Sequence, residues 1–203
     1  MIIRDDTGAQ LQTDTISLAA DGHASFMLPD KYASSAGKRG TVEFDTPAGG
    51  WISALGLRAN QISPAASALT TLPVLSNVDA GGGSITHATW NGGFTTIFTL
   101  VNTGSEPASA TLTFSGDNGN PLVVPLSFPQ TDATETVSQV TRTIQPNASL
   151  VMETMAQDAL PTSVGRTQTA SHGSGDECLD WNIHFSLGIA SLVYTRGIVQ
   201  YRL

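Results

Sequence analysis

Ala108-Ser109-Ala110-Thr111-Leu112-Thr113-Phe114, then Gly116-Asp117-Asn118-Gly119-Asn120, then Leu122-Val123-Val124-Pro125-Leu126, is the stretch that decides the fold. Ala108, Ala110, Leu112 and Phe114 fall on one side of an extended chain and Ser109, Thr111 and Thr113 on the other, the period-two pattern of a half-buried strand. Asn118-Gly119 tolerates the positive φ angles of a tight hairpin turn. Leu122–Leu126 reads as the returning strand. Pro125 has no N–H to give to a ladder, so this strand belongs at an edge or a bulge.

The same reading extends outward. Phe94–Val101 is a mostly buried strand that ends at the turn Asn102-Thr103-Gly104-Ser105. Further strands are expected at Val137–Ile144, Ser149–Thr154 and Thr167–Ala170, and upstream at Thr15–Leu18, Ala24–Leu28, Thr41–Asp45 and Trp51–Arg58. Thr70–Leu75 is a candidate last strand before the Gly-rich stretch. Only Leu28–Ser35 and Met155–Leu160 look helical, each as a single turn; Pro29 and Asp30 suit a first turn. Turn signals every 8–12 residues or so, without the long helices that parallel strands require, predict an all-β antiparallel sandwich.

Composition bounds the function. The chain has 203 residues, enough for one large or two small domains, and 40% are hydrophobic. No apolar run approaches the ~18 residues of a spanning helix, so no membrane span is expected. Only 13% are charged, about half the usual ~25%, and Thr and Ser fill the gap, as suits exposed strand faces. Seventeen acids against nine bases give a net charge of −8, with no basic stripe for nucleic acid. The one cysteine, Cys178, has no partner for an internal disulfide, so the core must hold the fold. Met1–Asp6 has neither a basic nor an apolar signal region.

Blocks recur in the same order. Asp6–Leu11 matches Asp117–Leu122, Ser17–His23 matches Thr143–Ser149, and Ala24–Leu28 matches Leu150–Thr154. Arg39–Phe44 matches Gly165–Ala170, and Trp51–Leu57 loosely matches Ile183–Ile189. The second copy carries an extra Thr-rich hairpin between the first two blocks. Four ordered blocks predict two copies of one module, the first lacking its opening hairpin. The expected division is residues 1–75 as the C-terminal portion of a module, 76–83 as a Gly-rich linker within the linker-like stretch 61–83, and 84–203 as a second module with a divergent tail from about 171. A sandwich cut in this way exposes edges, so the chain is expected to be a fragment of a longer, multi-module protein.

Phe98–Ser105, Ala110–Phe114 and Asp117–Leu122, with Leu18–Phe26, Gly40–Phe44 and Ile52–Arg58, resemble the repeated immunoglobulin-like β-sandwich modules of bacterial secreted and surface proteins, of the acidobacterial type. The resemblance covers residues 1–170. It implies an extracellular or cell-surface, non-catalytic structural or spacer module, with no cofactor and no catalytic residues to carry over. Its partners would be other modules of the same polypeptide, or extracellular glycan or protein.

Candidate chemistry is sparse. His23, His87, His172 and His184 lack the spacing of a metal pair. Asp5–Gly8 and Asp117–Asn120 are like calcium loops without the closing Glu, and read as hairpin turns. Ser174 lacks a nucleophile-elbow context, and Gly81-Gly82-Gly83 precedes no helix and no Lys. No carboxylate pair can be nominated for glycoside chemistry, which leaves a hydrolase of unrecognised type as a third reading. Trp51, Trp90 and Trp181 are the binding candidates, with Trp51 and Trp90 singled out as ligand-binding residues, because a flat indole face can stack on a sugar. They carry the alternative reading of a carbohydrate-binding or adhesive module. Ile52, Leu55 and Leu57 around Trp51 favour core packing for it, while Trp90 is less clearly core.

Overall fold

The computed structural model describes residues 1–63, 66–72, 83–91, 94–155, 163–171 and 189–197. Its strands are β1 (Ile2–Asp5), β2 (Gln10–Thr13), β3 (Gly40–Glu43), β4 (Gly56–Ser63), β5 (Ala66–Leu72), β6 (Gly83–Trp90), β7 (Phe94–Asn102), β8 (Ala108–Ser115), β9 (Val124–Phe128), β10 (Ala133–Val137), β11 (Gln139–Ile144), β12 (Ser149–Thr154), β13 (Ser163–Ser171) and β14 (Ile189–Gly197). The helical residues are α1 (Leu28–Lys31) and a 3-10 turn at Ala33–Ser35. The chain is an all-β protein, and its described strand pairs are antiparallel.

Two sheets, ordered β10-β9-β12-β7-β14 and β11-β8-β13-β6, share one core. Phe98, Leu100, Val124, Leu126, Phe128 and Met152 come from the first; Trp90, Leu112, Phe114, Val140 and Ile144 come from the second. Phe98 and Phe114 meet edge to face across the layers, with ring centroids 5.8 Å apart, a geometry that adds to simple area burial. The alternation read in Ala108–Phe114 is realised: Ala108, Ala110, Leu112 and Phe114 are all buried. Pro125 lies opposite Thr136 of β10, just outside the Leu126–Ser127 stretch where β9 meets β12, so its missing N–H costs no ladder bond there.

Buried polar groups brace the core, Asn102 of β7 across the layers to β11 and Thr154 of β12 to β7 within one sheet. Asn102 is fully buried; its amide donates to the Glu106 and Ile144 carbonyls at 2.8 and 3.0 Å, and its oxygen accepts from Gly104 N–H at 2.9 Å. The buried Thr154 hydroxyl accepts from Thr96 N–H at 2.9 Å. At one edge Arg142 of β11 ion-pairs with Glu135 of β10 and lies 4.6 Å over the Phe128 ring of β9, joining the two sheets.

The N-terminal residues form a separate three-stranded sheet, β2-β1-β3. Its pairing follows that of β11-β8-β13. Ile2 opposes Thr13 as Thr113 opposes Gln139, and Arg4 opposes Gln10 as Ser115 opposes Pro121. On the other side, Arg4–Thr41 and Ile3–Val42 follow Ser115–Arg166 and Phe114–Thr167. This register sets Gly40 beside Gly165, one residue away from the match of Arg39–Phe44 with Gly165–Ala170 made on sequence alone. The β1–β2 turn also repeats. Asp5 N–H donates to Ala9 O and Gly8 N–H to Asp5 O, as Gly116 N–H does to Asn120 O and Gly119 N–H to Gly116 O. Gly8 and Gly119 hold φ of +88° and +79°, where a side chain is strained.

The difference between the two sheets lies at one point. In the first, Leu11 is bulged out between Gln10 and Gln12. In the second, the chain leaves at Leu122, whose N–H donates to Phe114 O, builds the β9–β10 hairpin, and returns at Ser138, whose O accepts from Phe114 N–H. The Thr-rich hairpin is therefore inserted into the middle of a strand.

Several sequence expectations change. Val137–Ile144 is split at Ser138, with β10 and β11 in different sheets. Thr15–Leu18 and Ala24–Leu28 form no ladder, and Trp51–Arg58 becomes strand only from Gly56. In the linker-like stretch, β5 pairs with β4, which runs into it from Gly56, as a two-stranded ribbon. Of the 76–83 linker only Gly83 is described, and it opens β6; of the divergent tail only Ser171 and β14 are described, and β14 pairs with β7. Of the helical turn expected over 155–160, only Met155 is described, and it is not helical; the rest lies outside the described residues.

Candidate functional site

The two nominated tryptophans sit in opposite environments. Trp90 ends β6 and is 5% exposed within the shared core, so it has no free face for a ligand, and its nomination as a ligand-binding residue is withdrawn. Trp51 follows a turn closed by Gly50 N–H to Pro47 O at 2.7 Å, and is 86% exposed. The apolar neighbours that argued for burial are themselves exposed: Leu55 at 68%, Leu57 at 56% and Ile52 at 39%. Local sequence shows only that these side chains are apolar. Whether they find a second layer is decided by elements far along the chain, and none of the described elements covers them.

The acidic turns are structural. The Asp5 carboxylate accepts from Thr7 Oγ1 at 2.6 Å, Thr7 N–H at 3.0 Å and Ala9 N–H at 3.1 Å. These bonds, led by the Thr7 hydroxyl, hold its pKa below the ordinary carboxylate value. Asn118 plays a related part in its turn, accepting from Asn120 N–H at 3.0 Å. Asp14 accepts from the Tyr32 hydroxyl at 2.6 Å and lies 3.7 Å from Lys31 Nζ. The bond from Tyr32 is the chief cause that depresses the Asp14 pKa, and the separate interaction of Lys31 with the Tyr32 hydroxyl is the chief cause that raises the Lys31 pKa. Lys31 also lies 4.5 Å over the Phe26 ring. This cluster fastens the helical turn to the end of β2 rather than presenting a site.

His23 is exposed. The His87 side chain and the whole of His172, Ser174, Cys178, Trp181 and His184 lie outside the described residues. Among the described residues, no three His, Cys, Asp or Glu side chains gather where they could hold a metal ion. Also among them, no helix is long and apolar enough to cross a membrane.

A junction that sequence reading did not single out links the N-terminal sheet to the sandwich. Ser149 N–H, at the start of β12, donates to Asp6 O at 3.0 Å. Gly8 fits so closely that a Cβ there would lie 2.5 Å from Pro146 O. Beside it, the Gln130 side chain donates to Ser149 O at 2.7 Å and accepts from Val151 N–H at 2.8 Å, standing in for a strand along the open edge of β12. The only foreshadowing in sequence is Gly8 itself, which turn chemistry already explains.

The described residues thus form an antiparallel all-β protein with a two-layer core, an appended three-stranded sheet and an exposed apolar stretch at Trp51–Leu57. Compared with known protein families, with curated proteins and with solved structures, the chain matches none.

Proposed function

We propose that this chain is a non-catalytic structural or spacer portion of a multi-domain bacterial surface or secreted protein, built from two copies of an immunoglobulin-like β-sandwich module. The matched registers and turns of β2-β1-β3 and β11-β8-β13 support the two-module reading. The observation that carries the spacer role is the junction of Asp6 and Gly8 with Pro146–Ser149. A hydrogen-bonded, closely packed contact between successive units stiffens an array, which is what a spacer requires. The test is NMR relaxation on the full chain. Amides of residues 1–43 and 94–155 should report one common tumbling time, and Gly8→Val should separate them by crowding Pro146. Independent tumbling in the wild type would overturn the spacer role.

A second reading rests on Trp51. Its 86% exposure among exposed Leu55 and Leu57 supports a carbohydrate-binding or adhesive surface, since an indole face stacks on sugar rings. A glycan array tests it: binding by the wild type that Trp51→Ala abolishes supports this reading, and silence across the array sinks it.

A further inference from the structure

Two asparagines of the chain precede a glycine, Asn91 and Asn118. A glycine there matters chemically, because no Cβ stands beside its main-chain nitrogen to block approach to the asparagine amide. The two sites have opposite surroundings. Asn91 directly follows β6 and is 7% exposed. Asn118 and Gly119 are both exposed, at the tip of the turn that leads out of β8. Nothing lies within 4 Å of the place a Gly119 Cβ would take, so water and base reach the nitrogen.

The turn also prepares the amide for attack. Asn118 Oδ1 accepts from Asn120 N–H at 3.0 Å. When a nucleophile adds to Cγ, negative charge gathers on Oδ1, and a donor already aimed there stabilises it, as in an oxyanion hole. One bond opposes the step. Gly119 N–H donates to Gly116 O at 2.9 Å and must be released first. On an exposed turn that bond exchanges with water at modest net cost, so it slows the reaction without forbidding it. Asn102 shows the contrast: its amide is held by the Glu106 and Ile144 carbonyls inside the core.

We infer that Asn118 is a self-modification site, where the folded chain deamidates through its own main chain. The Gly119 nitrogen gives its proton to a base in solvent and attacks Asn118 Cγ. The new N–Cγ bond closes a cyclic imide as the Cγ–Nδ2 bond breaks, and ammonia leaves with a proton taken from water. Water then opens the imide at either carbonyl. Opening at Cγ leaves an aspartate; opening at the main-chain carbonyl leaves an isoaspartate, with the chain running through Cγ. The sum is amide plus water giving carboxylate plus ammonium, so no oxidant or reductant is needed. Both products add a negative charge beside Asp117. The isoaspartate also lengthens the main chain inside a tip closed by Gly116 N–H to Asn120 O at 2.9 Å, just before Leu122, where the chain departs into the β9–β10 hairpin. This reactivity stands or falls apart from the spacer role.

The test ages the full chain in mildly alkaline buffer made with heavy-oxygen water, folded and in denaturant, and maps the digested chain by mass spectrometry. In denaturant Asn91 and Asn118 should convert at similar rates, since both precede glycine. In the folded chain Asn118 should convert within about tenfold of its denatured rate and give both products. Asn91, which reacts only when its surroundings open, should fall about tenfold or more behind it. Gly119→Ala should slow conversion at Asn118 severalfold while β7–β12 stay protected from amide exchange. Folded-state conversion at Asn118 no faster than at Asn91 would overturn the assignment, as would faster conversion at any other asparagine. An unchanged rate in Gly119→Ala would overturn it equally, because the main-chain nitrogen would then not be the nucleophile.

Discussion

Ile3 and Phe114 occupy the same place in two three-stranded sheets, yet their surroundings differ. Phe114 meets Phe98 of a facing sheet and belongs to a core drawn from both layers. Ile3 is as well buried, at 2%, but no second sheet is described over β2-β1-β3. The helical turn from Leu28 to Ser35 packs there instead, pinned by Tyr32 to Asp14. Hairpin register and turn geometry are therefore properties of local sequence, held in both places. Strand formation at Thr15–Leu18 and Ala24–Leu28 is not, because a ladder needs a partner as well as a pattern.

The largest expected effect separates the two cores. Phe114→Ala should destabilise the sandwich by about 3–5 kcal/mol, read by chemical denaturation of the full chain. Ile3→Ala should cost nearer ~2 kcal/mol, since a single layer collapses more easily around the void. Equal losses would mean that the N-terminal sheet is as fully packed as the sandwich. Next, Gly40→Ala drives a Cβ into Arg4 O, far inside contact distance and against backbone that has little room to yield. It should free β3 from β1, so that amide protection falls at residues 2–5 and 40–43 and persists in β7–β12.

Acid should act on the N-terminal unit first. Asp5 and Asp14 have depressed folded pKa values, for which hydrogen bonds from Thr7 and Tyr32 are the leading causes. Their contribution is complete above the ordinary carboxylate pKa of ~4 and is lost as pH falls through the lower folded values. Amide exchange around Thr7–Ala9 and Asp14–Thr15 should therefore quicken below about pH 4, while the Asn102 clamp, which carries no charge, does not respond. The smallest effect concerns Ser149, whose buried hydroxyl has no hydrogen-bond partner. Ser149→Ala should be neutral or slightly stabilising, by under ~1 kcal/mol in a thermal melt.

Much of the sandwich was legible in the sequence because its strands alternate cleanly and Gly119 marks its turn. Ser138 was not, since a strand that changes sheets keeps the same alternation through the switch. Trp51 and Trp90 show the same limit. Both sit among residues of the expected kind, and only long-range pairing decides that β6 is packed against β13 while the loop holding Trp51 is open. The junction at Gly8 was hidden because one glycine serves both a turn and a close approach.

Amide exchange on the unliganded full chain, comparing Thr15–Leu18 and His23–Leu28 with Thr141–Ile144 and Ser149–Thr154, tests the central claim most directly. The two sheets share one framework, and among the described residues partner strands pair with these segments in the second. Slow exchange in the sandwich segments and fast exchange in their N-terminal counterparts is the expected result. Comparable protection in both would show that the N-terminal segments already have partners, and would contradict the account.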